Sequence, residues 1–156
     1  MEKVIRIPSI QSIALGAIVM AIGGIIRVPC YPVPFTLQTL AVFLLGLSLP
    51  PKEALAAGVS YFLMATLINP LWLAGPTAGY IVSFPLAAFM ISYFSTRLRP
   101  LYSLLIGQGV IYLIGYTWLA ALIGPKVALH KGIVLFLPAA TIKISMALVA
   151  RRWVLR

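Results

Sequence analysis

Residues 101–123 read LYSLLIGQGVIYLIGYTWLAALI, 23 consecutive positions without a charged side chain. A helix rises about 1.5 Å per residue, so about 20 apolar residues span a hydrocarbon core. Leu101 to Ile123 meets that length, and the natural solvent of such a helix is lipid. Outward from it the same signal repeats. Apolar runs extend from about Ala78 to Thr96 and from about Gly132 to Ala150, and earlier from Glu53 to Ile68, Thr36 to Leu49 and Ile10 to Val28. Prolines separate several of these runs: Pro29, Pro32 and Pro34, then Pro50-Pro51, then Asn69-Pro70. Proline lacks the amide donor and clashes with the preceding turn, so each cluster ends a helix. The Thr36 to Leu49 run is short for a full crossing. Asn69 to Tyr80 mixes Trp72, Gly75, Pro76, Thr77 and Gly79 and reads as a loop or re-entrant segment that can place backbone at a cavity. The predicted fold is an all-α integral membrane protein, a bundle of six transmembrane helices forming a single transmembrane domain over residues 1–156.

Composition agrees. The chain is 62 % hydrophobic and 9 % charged, with a mean hydropathy of +1.08, outside the range of soluble domains. Twelve Lys and Arg face only Glu2 and Glu53, for a net charge of +10. In a soluble chain this excess would suggest nucleic acid, but here the charges sit at segment ends. With both termini cytoplasmic, Lys3, Arg6, Lys52, Arg97, Arg99, Arg151, Arg152 and Arg156 lie inside and Arg27, Lys126 and Lys131 outside, the bias that membrane insertion produces. The basic start and apolar run through Ile26 share features with a signal peptide, yet nothing after them reads as a soluble mature protein, so they are kept as the first spanning helix. A lone Cys30 excludes an intrachain disulfide, and with His130 the only histidine no metal site is expected. There is no Gly-x-x-x-x-Gly-Lys-Ser/Thr loop, no Ser-His-Asp set and no carboxylate pair, so no catalytic residues are assigned and any ATP hydrolysis needs another protein. No internal repeat favours an inverted-repeat transporter.

Lys143 is the strongest polar signal. A cation inside an apolar helix is costly and normally faces a cavity or a partner. The chain has no Asp, and both Glu residues fall at cytoplasmic ends, so its counterion can be an anionic ligand. Snorkelling to the surface and a neutral amine are the competing readings. Thr77, Tyr80 and Phe84 share one helical face, as do Gln108, Tyr112 and Tyr116. Such faces suit a pocket, an interfacial belt or interhelical hydrogen bonding. Arg27 can attract an anion or bind lipid phosphate. Ala14, Ala17, Ala21 and Gly24 form a small-residue stripe on the first helix, suited to close approach of a helix within the chain or of another subunit.

The run Pro32-Val33-Pro34-Phe35-Thr36-Leu37-Gln38-Thr39-Leu40-Ala41-Val42, with Tyr61 a helix further on, resembles the BioY family, the biotin-specific S components of energy-coupling factor (ECF) transporters. Gly75-Pro76-Thr77-Ala78-Gly79-Tyr80 matches that family's second signature, and weaker matches run through Tyr112-Leu113-Ile114-Gly115, Trp118-Leu119-Ala120, Leu137-Pro138 and Ile142-Lys143. The resemblance implies a six-helix subunit that binds biotin near the outer surface, under a lid formed by the loop after the first helix. It also implies docking on a transmembrane coupling protein served by two ATPases, with Ala17 and Ala21 at the family's small-residue contact motif. Biotin is then cargo, with no resident cofactor. Its carboxylate would meet Lys143, its rings would pack on tyrosines, and Thr77, Tyr80, Thr36, Gln38, Asn69, Gln108 and Tyr112 are the further candidates. Where the family has Pro-Gly-Asp-x-x-Lys, this chain has Pro138, Ala139, Ala140 and Lys143, so the acidic ligand contact is replaced by Ala140. The rival readings are a solitary facilitator or channel for biotin or another small anionic vitamin, and a structural membrane subunit without a ligand.

Overall fold

The computed structural model describes residues 9–154; Glu2, Lys3, Arg6 and Arg156 lie outside the described residues. Helix α1 spans Ser9–Ile25, α2 Gln38–Ser48, α3 Pro51–Ile68, α4 Ala78–Ser95, α5 Pro100–Ile123, α6 Pro125–Gly132 and α7 Leu137–Val154. Six of these are the long helices of an up-and-down bundle, and α6 is a short eight-residue insert. Short 3₁₀ turns occupy Pro70–Ala74 and Val134–Phe136. A two-residue antiparallel ladder, β1 (Arg27–Val28) with β2 (Phe35–Thr36), sets Arg27 opposite Thr36 and Val28 opposite Phe35. It closes the proline-rich loop, which contains a cis Tyr31-Pro32 bond. This ladder ends α1 at Ile25, three residues before the predicted Val28.

Prolines start as well as stop these helices. Pro51, Pro100 and Pro125 sit in the first turns of α3, α5 and α6, where the missing amide would have had no intrahelical partner. The last helix is displaced from its predicted start at Gly132 to Leu137, because residues 125–136 form α6 and a 3₁₀ turn of their own. Gly124, with φ of 87°, supplies the break between α5 and α6, a backbone region that side-chain-bearing residues avoid. The stretch 69–77 contains a 3₁₀ turn, in which the Asn69 side chain accepts from the Leu71 amide at 3.1 Å.

Lipid-facing character is visible on the surface. Leu15, Ile18 and Ile22 of α1 are exposed along one stripe, and Ile142, Met146 and Val149 of α7 along another. Apolar side chains repeating outward at helical spacing are the inverse of a water-facing helix. By length and composition, three spans are sufficient to cross a bilayer: Ala78–Ser95, Pro100–Ile123 and Pro125–Trp153, while α1 and α2 are shorter apolar helices. Met20, Val42, Phe43, Ile91, Leu104 and Leu119 are fully buried between them. Helices α3 and α4 approach closely through their backbones: a methyl added at Gly58 would stand 2.6 Å from the Pro85 Cα. Ser92 Oγ donates to the Leu49 carbonyl at 2.5 Å, tying α4 to the end of α2.

The connections segregate by charge. Among the described residues, Lys52, Arg97, Arg99, Arg151 and Arg152 occupy one end of the bundle, and Arg27, Lys126 and Lys131 the other. The second end, called the mouth below, carries the ladder loop, residues 69–77 and residues 124–136.

Candidate functional site

Beneath the mouth lies a cavity of about 390 Å³, inside the range of about 300–1,000 Å³ usual for small-molecule sites. Its lower wall comes from α7, α5 and α4. Lys143 lines it at 9 % exposure, six residues into α7 and so ~9 Å below that helix's start. Ala140 stands one turn above on the same face and also lines the cavity. An acidic side chain there would be the lysine's neighbour; a methyl group leaves the ammonium alone. The one acidic residue among those described, Glu53, opens α3 at the opposite end and accepts from Ser12 Oγ at 3.1 Å. Lys143 therefore faces the cavity with no carboxylate partner among the described residues.

From α5, Gln108 and Tyr112 reach the cavity one turn apart. Gln108 is 7 % exposed, and neither its Oε1 nor the Tyr112 hydroxyl has a hydrogen-bond partner among the described residues. Trp72 Nε1, on the cavity's upper wall, is likewise unpartnered. Buried polar atoms are normally paired, so these three can serve a bound molecule. Tyr116, on the same helix, is not among the lining residues.

Nearer the mouth the polar groups are already engaged. The Gln38 amide donates to the Tyr61 hydroxyl, linking α2 to α3. Thr36 Oγ1 lies 3.4 Å from both Gln38 Oε1 and the Gln38 backbone amide. Both residues line the cavity while holding the loop in place. Tyr80 also lines it, but its hydroxyl is turned away to donate to the Gly132 carbonyl at 3.0 Å, so its ring is what the cavity receives. Thr77 lines the upper wall and Arg27 the rim.

Asn69 and the stripe on α1 stand apart from the other candidates. Asn69 is exposed and outside the lining, because its carbonyl oxygen caps the 3₁₀ turn that follows. The stripe on α1 mostly serves the interior: Ala17 is buried in the core, Ala21 and Gly24 line the cavity, and Ala14 alone is exposed. Tyr61, Met64, Ala65, Ile81 and Phe136 complete the walls. Apart from Tyr61, which the family resemblance had marked, their sequence signal is that of ordinary apolar residues, so only packing distinguishes them.

Fold and site together define an integral membrane helical bundle around a ligand-sized cavity, with engaged polar groups near the mouth and Lys143 on the lower wall. The chain belongs to the BioY family, whose sequence model matches residues 1–156. It is 34 % identical over 149 residues to the probable biotin transporter BioY of Pyrococcus horikoshii, covering 90 % of this chain and 91 % of the relative. It is 34 % identical over 109 residues to the biotin transporter BioY of Thermotoga maritima, covering 62 % and 64 % of the two chains. Its fold matches the crystal structure of the S-component for biotin from an ECF-type ABC transporter, with a TM-score of 0.76 at 22 % identity, over 93 % of this chain and 90 % of that one.

Proposed function

We propose that this protein captures biotin for uptake, as the membrane-embedded S component of an ECF-type transporter. Lys143 carries the reading. A buried ammonium without an internal carboxylate, on the wall of a cavity large enough for a vitamin, is best explained by an anionic ligand, and membership of the BioY family makes that ligand biotin. The biotin carboxylate pairs with Lys143, its fused rings pack on Tyr80 and Phe84, and Gln108, Tyr112 and Trp72 serve its polar head. Both termini lie in the cytoplasm of a multi-pass protein of the cell membrane. A transmembrane coupling protein and two ATPases take up the loaded subunit and supply the energy.

The direct test is retention of radiolabelled biotin by detergent-purified protein. Lys143→Ala should weaken binding about tenfold to a hundredfold, the worth of a charged hydrogen bond; undiminished retention would reject the lysine's role. Co-purification with the coupling protein and ATPases separates this reading from solitary facilitation. Liposomes holding this chain alone should bind biotin without accumulating it.

A further inference from the structure

The end of the bundle away from the mouth carries a polar construction of its own, in the turn between α4 and α5. Arg97 lies two residues beyond α4, and its guanidinium is held twice. Nη1 donates to the Tyr93 carbonyl at 2.8 Å, and Cζ stands 3.8 Å over the centre of the Tyr93 ring. That ring is itself fixed, stacked on Phe89 with centroids 6.0 Å apart and meeting Phe94 edge-on at 5.2 Å. Phe89, Tyr93 and Arg97 follow at four-residue spacing, so one row runs down the face of α4 and ends on a cation. Arg99, in the same turn, is exposed.

The Tyr93 carbonyl belongs to the last turn of α4, which Arg97 thereby caps. Capping engages Nη1 alone, and a guanidinium carries five N–H donors. Neither arginine forms an ion pair among the described residues, whose one carboxylate, on Glu53, accepts from Ser12. Leu98, Leu101 and Tyr102, beside the two cations in sequence, are exposed. The turn joins two helices long and apolar enough to cross a bilayer, so it lies where hydrocarbon gives way to headgroups. Tyrosine is enriched at that depth, and the anion within reach there is lipid phosphate.

We propose that the α4–α5 turn binds the headgroup of an anionic phospholipid, its phosphate held by Arg97 and Arg99. The guanidinium fork matches phosphate oxygens two at a time, and the Tyr93 platform orders Arg97 in advance, so less side-chain freedom is lost on binding. A turn with two cations and no acidic residue complements a headgroup that keeps a net negative charge, as phosphatidylglycerol does and phosphatidylcholine does not. The site is independent of what the cavity binds.

Native mass spectrometry of the detergent-purified protein, incubated with an equal mixture of phosphatidylglycerol and phosphatidylcholine, counts the lipids that stay bound. The parent should retain phosphatidylglycerol in preference, and Arg97→Gln should weaken that retention about tenfold, the worth of a charged hydrogen bond. Tyr93→Leu leaves both arginines in place and removes the platform, and should weaken it about two- to fivefold. Lys52→Gln removes a charge from the same end of the bundle without touching the row, and should match the parent. Helical circular dichroism checks that each variant is folded. If Arg97→Gln fails to fold, Arg97→Lys replaces it, keeping the charge and losing the planar fork, with a loss of about threefold or more expected. Parent-like retention in a folded Arg97 variant overturns the site. So does an equal loss in Lys52→Gln, which would mean diffuse attraction to a basic end, and so does indifference between the two lipids. Inorganic phosphate in large excess should leave the lipid bound; its displacement would make the turn a receptor for a soluble anion and overturn the headgroup assignment.

Discussion

Lys143 sits at a conflict between stability and function. Its charge is removed from water with no carboxylate beside it among the described residues, a burden on the empty protein. Lys143→Met keeps the length of the side chain and removes that burden. The variant is expected to melt at a higher temperature than the parent in detergent, by about 1 kcal/mol or more of added stability, while losing about tenfold or more in biotin affinity. A lysine that served only the fold would move both quantities down together. Tyr61 offers the contrasting case, since its hydroxyl accepts the amide of the buried Gln38. Tyr61→Phe leaves that amide without its partner and should cost about 1–3 kcal/mol of stability, read as a lower melting temperature.

At the level of elements, backbone approach between α3 and α4 is set by Gly58 against Pro85. The obstructing atoms belong to the proline's own backbone and ring, which cannot turn aside as a flexible side chain would. Gly58→Ala should therefore force the helices apart, costing about 1–3 kcal/mol as overpacking does, and should lower the melting temperature. Neither Gly58 nor Pro85 lines the cavity, so biotin affinity well below the melting temperature should change less than threefold. A large loss of affinity would mean that the α3–α4 spacing shapes the pocket. Gly124 governs a second junction. Its positive φ is the only one among the described residues, and Gly124→Ala should disturb the turn that hands α5 on to α6, at about 1–3 kcal/mol.

For the whole molecule, the distribution of charge makes a prediction about orientation. With five basic residues at one end among those described, against three at the mouth, the positive-inside bias predicts that the mouth faces outside. In a Cys30→Ser background, His130→Cys should react with an impermeant thiol reagent on intact cells, and Arg99→Cys only after permeabilisation. The reverse pattern would put the mouth in the cytoplasm and end the uptake reading.

How much was legible in advance differs between these scales. The six long helices were readable because each carries a long apolar run and prolines separate several of these runs, and lipid demands little more of a spanning segment than length and apolarity. Lys143 stood out for the same reason, a cation in the middle of an apolar run while the other charges sit at segment ends. Helix α6 was not legible: Lys126, His130 and Lys131 give it the composition of a polar loop, and its helical form depends on Pro125 and Gly124 in their particular backbone geometry. Nor was Phe136, whose apolar side chain looks like any other until the loop and α4 close around it. The inward turn of Ala17, Ala21 and Gly24 was equally hidden, since a stripe of small residues fits any neighbour that comes close. The sequence by itself therefore determined that the chain lives in lipid, how many times it is built to cross, and which charge is out of place. Only the tertiary structure decided which polar groups satisfy one another and which are left to a ligand, because hydrogen bonding and packing depend on distances between residues far apart in the chain, and no local pattern records them.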